Sequence, residues 1–107
     1  MQEATFLILT ALAAGSRHGY AIITEVEEIS GGGVRLRPGT LYTALERLRT
    51  DELIALEREE VVASRLRRYY RLTAPGEHEL AREAARMRDH ASVALARLSA
   101  GGGAPAR

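Results

Sequence analysis

The sequence predicts a mostly α-helical protein with one two-stranded β-hairpin, and three observations along the chain predict it. Apolar residues recur at helical spacing through most of the first 50 residues. A segment rich in Val, Ile, Leu and Tyr then follows, divided by a short polar turn. Beyond it, apolar residues recur every three or four positions along a long final segment. The order of elements is therefore helix, helix, helix, hairpin and long helix.

Two helices and a glycine break account for residues 3–33. Residues 3–14 are apolar on nearly every side and contain neither Gly nor Pro, which predicts a buried helix that ends at Gly15. Ser16 can cap a second helix, which extends to about Ser30 and has its apolar residues on one stripe. Three consecutive glycines at 31–33 end the helical pattern, because glycine disfavours helix.

The third helix begins at Pro38, whose fixed φ suits a first helical turn. Its buried stripe consists of Leu41, Ala44, Leu45 and Leu48. Helical geometry then places Thr40, Thr43, Arg47 and Thr50 on one outward face, and Tyr42, Glu46 and Arg49 on the opposite flank. Short hydroxyl residues let a helix approach base edges, and an arginine one turn further on can reach a guanine or a phosphate. An ordinary solvated face uses the same residue types, so the helical pattern leaves both interpretations open.

The last two elements are a hairpin and a helix. Residues 53–62 and 66–72 are the predicted strands, with a turn at 63–65. Thr73 and Pro75 open a helix that extends to about Ser99, roughly 40 Å in length. Its apolar seam has the heptad period of paired helices and consists of Leu80, Ala84, Met87, Ala91, Ala94 and Leu98. We expect this seam, together with Phe6 of the first helix, to form a homodimer interface; a helix packed on its own domain is the alternative.

Three helices followed by a two-stranded ribbon form the winged helix-turn-helix plan, in which the third helix enters the DNA major groove. The expected organisation is a winged helix-turn-helix DNA-binding domain over residues 1–73 and a dimerisation helix over residues 74–99. The remaining residues, 100–107, lack an apolar pattern and are expected to form a disordered tail.

The charge distribution supports a DNA-binding hairpin, although the net charge is only +1. Residues 51–60 contain five acids and one arginine, whereas residues 61–72 contain four arginines and no acid. The arginines Arg65, Arg67 and Arg68 are placed to enter a minor groove or to bind phosphates. His18, at the start of the second helix, is a candidate phosphate contact. A charged edge strand that prevents aggregation would have a similar composition.

Other classes of function find little support in the sequence. The chain has no cysteine, and its three histidines lack the spacing of a helical metal pair. No phosphate-binding loop, catalytic triad or membrane-length apolar run is present. We therefore expect no catalysis, no metal, no cofactor and no membrane contact, and a location in the cytoplasm. The class-distinct alternative is a winged helix that binds an acidic protein partner instead of DNA.

Three motifs resemble the PadR family of bacterial transcriptional regulators, specifically its short subgroup with a single C-terminal helix. They are residues 36–45 with Leu48, residues 18–20 with Ile22, and residues 69–73 with Gly76. The resemblance implies a homodimer that binds double-stranded, pseudo-palindromic operator DNA, usually as a repressor, and that a small molecule releases. It also implies DNA-facing roles for Pro38, Gly39, Thr40, Tyr42 and Thr43, a backbone-facing role for Tyr20, and a basic wing at Arg67 and Arg68. Arg37, directly before this motif, is included among the candidate DNA contacts.

The sequence departs from the family pattern at two turns. Glu52 stands where the family usually has glycine after the recognition helix, so the chain either leaves this helix by a different turn or makes a left-handed exit at a cost of about 1 kcal/mol. Ser64-Arg65 replaces a common Gly-Arg at the wing tip, from which we expect a longer and looser turn. A small-molecule effector cannot be named; a pocket at the dimer interface would be lined by small aliphatic side chains with Phe6 and Met87.

Overall fold

The computed structural model describes residues 1–102 and contains four helices and three strands. In chain order these are α1 (Glu3–Ala13), β1 (Arg17–His18), α2 (Gly19–Ile29), α3 (Pro38–Thr50), β2 (Ile54–Val62), β3 (Arg65–Leu72) and α4 (Ala74–Gly102). The predicted class, mostly helical with a β-hairpin wing and a long final helix, is confirmed. The winged helix-turn-helix order is also the one that the sequence predicted.

The start of the second helix differs from the prediction, because Ser16 does not cap it. Residues 17 and 18 instead form β1, which pairs antiparallel with Tyr69 and Tyr70 of β3 and makes the sheet three-stranded, in the order β1-β3-β2. The Arg17 guanidinium holds this strand in place, since its Nε donates to the Ala11 carbonyl at 3.0 Å and it lies 3.0 Å from Glu25. The second helix therefore begins at Gly19.

The core lies where the three N-terminal helices meet the base of the wing. Ile8, Ile22, Leu41 and Leu45 are almost completely buried, and Tyr70 of β3 closes the cluster. Each such aliphatic side chain contributes about 1.5–3 kcal/mol when it is removed from water. The predicted stripe of α3 is confirmed, with its three leucines buried and Ala44 partly buried.

The wing is a tight hairpin, so the expected longer and looser tip is wrong. Val62 pairs with Arg65, which leaves only Ala63 and Ser64 in the turn. Both have positive φ, 50° and 63°, as a two-residue turn that follows the twist of the strands requires. The pairing shifts between Leu56 and Arg58, where a bulge separates the base of the wing from its tip.

The exit of α3 takes the left-handed conformation that glycine would adopt more easily. Glu52 has a φ of 61°. Its N–H donates to the Arg49 carbonyl at 2.9 Å, and the Leu53 N–H donates to the Leu48 carbonyl at 3.0 Å. This is the Schellman arrangement of a helix end, with Leu48 and Leu53 in the apolar cluster on either side of it.

The final helix begins at a capped, closely packed junction. Thr73 Oγ1 accepts a hydrogen bond from the Gly76 N–H at 3.0 Å and donates to the Glu52 carbonyl at 2.6 Å. A Cβ on Gly76 would overlap the Leu53 carbonyl, so glycine is required there. The helix continues to Gly102, so residues 100–102 are helical and not part of a disordered tail; residues 103–107 lie outside the described residues.

Candidate nucleic-acid interface

The outward face of α3 is exposed over the residues that the sequence indicated. Arg37, Pro38 and Gly39 are exposed at its start, and Thr40, Thr43, Arg47 and Thr50 are exposed along it. The hydroxyls of Thr43 and Thr50 donate to the carbonyls of Gly39 and Glu46, each at 3.0 Å. Their oxygens keep lone pairs that can accept hydrogen bonds from a base or an ordered water.

One side of this face borders a groove between α3, the start of α1 and the start of α4. Thr40, Thr43 and Arg47 line it, together with Asp51 and Glu79. Thr43 and Thr50 lie most directly opposite the core, as helical geometry requires when Leu41, Leu45 and Leu48 are buried. Arg47 therefore lies on the flank of α3 away from the wing.

Two tyrosines lie on the opposite flank, toward the wing. Tyr42 is 50% exposed and Tyr20, at the start of α2, is 62% exposed. Gly19 is buried against Tyr42, and a Cβ at this position would lie 3.0 Å from the Tyr42 Oη. The missing side chain thus lets α2 and α3 approach closely, which brings the two phenol rings to the same surface.

A cleft of about 340 Å³ joins these tyrosines to the wing. It is lined by His18, Gly19, Tyr20, Tyr42, Arg65, Leu66, Arg67 and Arg68. Three separate segments of the sequence contribute to it: the start of α2, the first turn of α3 and the second wing strand. Six of the twelve candidate DNA contacts therefore share one cavity, whereas Thr40, Thr43 and Arg47 lie on the far side of α3.

The wing arginines differ in how far their charge is compensated. Glu59 lies opposite Arg68 in the hairpin and is 3.2 Å from its Nε, an ion pair that raises the pKa of Arg68. Among the ion pairs of residues 1–102, none involves Arg65 or Arg67. Toward the tip of the wing, the positive charge without an ion-pair partner thus lies at these two arginines, and at its base Arg71 also lacks one among the described residues.

His18 lies half-buried beside this charge. It is the N-terminal cap residue of α2, and its ring meets the Tyr69 ring edge-on, with the ring centres 5.3 Å apart. Burial lowers the pKa of His18, Arg67 lowers it further, and Glu60 opposes the shift. Glu60 is itself engaged, since the Tyr69 hydroxyl donates to it at 2.7 Å. The imidazole is therefore predominantly neutral at pH 7.

The seven candidate dimer residues separate into two groups. Phe6 and Leu80 pack against the core of their own domain. Ala84, Met87, Ala91, Ala94 and Leu98 are exposed. The first turns of α4 thus pack on α1, as the alternative interpretation of the helix allowed, and the seam beyond them is open to solvent.

Two features near these sites were not predicted from the sequence. Leu66 lines the cleft, and its alternation with Arg68 and Tyr70 on β3 was the signal that could have placed it there. A shallow hollow of about 230 Å³ on α4 is lined by Ala13, Leu72, Leu80 and Ala84, but not by Phe6 or Met87, which were expected to line an effector pocket. No helix within the described residues has both the length and the apolar character to cross a membrane.

Comparison with known sequences identifies relatives of this chain. Residues 8–82 match the model of the transcriptional regulator PadR-like family. A transcriptional regulator of Mycobacterium tuberculosis is 45% identical over 69 residues, which cover 64% of this chain and 61% of that protein. An uncharacterised protein of a Streptomyces fradiae transposon is 43% identical over 82 residues, which cover 77% of this chain and 22% of that protein. This chain therefore spans less than two thirds of either relative.

Solved structures share the fold. A PadR family transcription regulator from Clostridium difficile superposes with a TM-score of 0.77 at 27% identity, over 91% of this chain and 99% of that one. Bacillus subtilis PadR in complex with operator DNA superposes with a TM-score of 0.69 at 24% identity, over 78% of this chain and 47% of that one. The family model covers α2, α3, the whole wing and parts of α1 and α4, and the three sequence motifs lie within its range. The chain belongs to the PadR-like family of transcriptional regulators.

Proposed function

We propose that this protein binds double-stranded operator DNA as a homodimer and represses transcription. The observation that carries the proposal is the cleft in which Tyr20, Tyr42, Arg65 and Arg67 converge beside the exposed first turn of α3. Phenol hydroxyls and guanidinium groups are phosphate ligands, and a helix with an exposed, short-side-chain start can enter a major groove. The two features lie next to each other, as the backbone and the groove of one duplex do.

Each element has a distinct role in this proposal. α3 enters the major groove, with Thr40 and Thr43 toward base edges and Arg47 toward a guanine or the far phosphate strand. The cleft receives the phosphate backbone beside that groove. Arg65, at the wing tip, extends toward the neighbouring minor groove. Residues 1–73 act as the DNA-binding unit.

The second part of the proposal is dimerisation through α4. The open seam of Ala84, Met87, Ala91, Ala94 and Leu98 would pair with the same seam of a second copy. A two-fold dimer places its two recognition helices about 34 Å apart, in successive major grooves, so the operator would be pseudo-palindromic. Four small or linear side chains at the seam favour close helix approach.

The comparisons support this proposal through related proteins. One structural relative, Bacillus subtilis PadR, is in complex with operator DNA, and one sequence relative is a transcriptional regulator. A regulator of this kind acts on the bacterial chromosome and hence in the cytoplasm. The proposal includes release from the operator by a small molecule, which ligand screening against the protein–operator complex would identify.

Salt-dependent binding to the DNA upstream of its own gene tests the proposal. Affinity should fall by about a thousandfold between about 50 and 200 mM salt if each dimer neutralises about six phosphates. A scrambled duplex of equal length and composition is the control, and it should bind at least about a thousandfold more weakly. Binding that depends neither on salt concentration nor on DNA sequence would instead favour a winged helix that contacts an acidic protein. A promoter–reporter strain then separates repression from activation.

A further inference from the structure

Two neighbouring rungs of the wing place four interacting side chains on one face of the hairpin. Arg58 and Glu60 belong to β2. Tyr69 lies opposite Arg58 on β3, and Arg67 lies opposite Glu60. Glu60, Arg67 and Tyr69 are half-buried, so water screens their interactions only in part. The partner that Glu60 binds therefore decides which arginine of this face keeps an uncompensated charge.

Glu60 does not pair with the arginine directly opposite it. Its carboxylate accepts a hydrogen bond from the Tyr69 hydroxyl at 2.7 Å and lies 3.8 Å from the Arg58 Nε. Within residues 1–102, no carboxylate forms an ion pair with the Arg67 guanidinium. Unlike charges that face each other across two antiparallel strands attract, so the diagonal bond to Tyr69 requires an explanation.

The adjacent rung provides an internal comparison on the other face of the hairpin. Glu59 lies directly opposite Arg68, and the two side chains form an ion pair at 3.2 Å. The tyrosine two residues beyond Arg68 is Tyr70, whose side chain is buried in the core and, among the described residues, donates no hydrogen bond to Glu59. An acid of this wing thus binds the arginine opposite it where no phenol hydroxyl reaches its carboxylate.

Contacts on two sides hold the Tyr69 ring where its hydroxyl reaches Glu60. The Arg58 guanidinium lies over the ring, 3.8 Å from its centre, and the His18 ring meets it edge-on. A hydroxyl that donates to a carboxylate makes a charge-assisted hydrogen bond, roughly twice as strong as a neutral one. The Glu60 carboxylate is therefore held on the Tyr69 side of the rung by a group that is itself fixed.

We infer that Tyr69 keeps Arg67 available for DNA by holding the Glu60 carboxylate away from it. This inference rests on the proposed function, in which Arg67 lies in the cleft that receives the phosphate backbone. Tyr69 does not line that cleft, so it is a positioning residue that acts through Glu60. Without the hydroxyl, Glu60 would turn to Arg67, and their ion pair would remove one uncompensated positive charge from the cleft.

Salt-dependent binding of Tyr69→Phe to the operator tests the inference. Phenylalanine removes the hydroxyl but keeps the ring between Arg58 and His18, so the wing should stay folded. We expect affinity to fall by about fivefold to tenfold. The slope of log affinity against log salt concentration should become shallower by about two, because each protomer of the dimer neutralises one phosphate fewer. Unchanged affinity and slope would overturn the inference.

A second substitution, Glu60→Gln, determines whether the tyrosine acts through the acid. In this background Arg67 is free with or without the Tyr69 hydroxyl, so Tyr69→Phe should change affinity by less than about twofold. Glu59→Gln is the matched control, because it removes an acid from the same strand and should leave the loss caused by Tyr69→Phe in place. A loss that persists in Glu60→Gln would mean that Tyr69 contacts DNA or supports the sheet by itself, and would overturn the inference.

NMR of the Arg67 side chain provides a measurement without DNA, because an ion pair slows the exchange of its Nε–H proton with water. We expect slower exchange in Tyr69→Phe than in the unaltered protein, and a return to fast exchange when Glu60→Gln is added. Equal exchange in the three proteins would overturn the inference and leave the proposed function intact. If the unaltered protein binds no duplex in a salt-dependent manner, the proposed function itself fails.

Discussion

Glu52 illustrates how a single residue can carry a conformation that its side chain does not favour. The Schellman end of α3 requires a left-handed residue at this position, and Glu52 supplies it at a φ of 61°. Its side chain is exposed, so no packing compensates for the strain. The hydrogen bonds around it and the apolar contact between Leu48 and Leu53 hold the turn instead.

Glycine at this position should stabilise the protein. We expect Glu52→Gly to raise the free energy of unfolding by about 0.5–1 kcal/mol, because relief of the left-handed strain exceeds the added chain entropy. Glu52→Ala removes the same carboxylate but keeps Cβ, so it should give no comparable gain. Urea denaturation followed by circular dichroism measures both. A gain of equal size in the two variants would attribute the effect to charge and not to backbone conformation.

His18 should make operator binding depend on pH. Burial and the charge of Arg67 hold the pKa of His18 in the folded protein below its ordinary value of 6.5. Between the lowered pKa and 6.5, the unfolded chain therefore binds more protons than the folded protein does. His18 thus lowers the free energy of unfolding as the pH falls through this window. A phosphate in the cleft would raise the pKa, and binding would then take up a proton. We expect operator affinity to increase by about threefold as the pH falls from about 7.5 to 5.5.

The titration is measured by fluorescence anisotropy at constant ionic strength, with His18→Gln as the control. The variant should show a flatter profile, because glutamine keeps a polar side chain but does not titrate. The other charged groups that face His18 are Arg67 and Glu60, and both are retained in the variant. If operator affinity depends on pH in the same way in the unaltered protein and in His18→Gln, the bound phosphate does not lie beside His18.

At the scale of elements, three helix and strand ends meet at one junction. Thr73 caps α4 through its side-chain oxygen, and the same hydroxyl donates to the Glu52 carbonyl at the exit of α3. The Thr73 N–H donates to the Leu53 carbonyl at 3.1 Å, directly before β2. Gly76 lies against that carbonyl. Thr73 thus links the end of α3 directly to the start of α4.

Removal of the Thr73 hydroxyl should loosen this junction. We expect Thr73→Ala to lower the free energy of unfolding by about 1–2 kcal/mol, because the cap and the bond to Glu52 are lost together. Thr73→Ser retains the hydroxyl and should cost less than about 0.5 kcal/mol. Thermal and chemical denaturation give the values. Equal losses in both variants would indicate that the methyl group, and not the hydroxyl, holds the junction.

At the scale of the whole molecule, α4 extends well beyond the domain that supports it. The radius of gyration is 17.5 Å, compared with about 13 Å for a compact chain of this length. The longest dimension is 66 Å, more than twice the next. Residues 86–100 are exposed throughout, so the second half of the helix has no packing partner among residues 1–102. An isolated helix of this length is only marginally stable in water, which favours a partner helix.

A charge placed on the seam should separate the proposed dimer. We expect Met87→Glu to weaken self-association at least tenfold, on the order of 1.4 kcal/mol, because two carboxylates would meet near the two-fold axis. Val93→Glu adds the same charge on the opposite side of α4 and should leave the dimer intact. Light scattering over a concentration series measures both. A Met87→Glu protein that remains dimeric would place the interface on another surface.

The sequence by itself determined the order of the four helices and the hairpin, the buried stripe of α3 and the heptad period of α4, because these follow from residue periodicity along one chain. It left the exit at Glu52 open between a different turn and a strained left-handed one, and the structure shows the left-handed turn. The candidate contacts of α3, α2 and the wing were each identified from local pattern and resemblance.

Only the tertiary structure decided what depends on contacts between distant residues. Residues 17 and 18 form a strand because they pair with β3. In the wing, Glu59 lies opposite Arg68 and pairs with its charge, whereas Arg65 and Arg67 have no ion-pair partner within residues 1–102. The packing of α4 on α1 divided its seam into a half that supports the domain and a half that is open. A local pattern records which faces of an element are apolar, but not which other element covers them, because that depends on how the whole chain closes around its core.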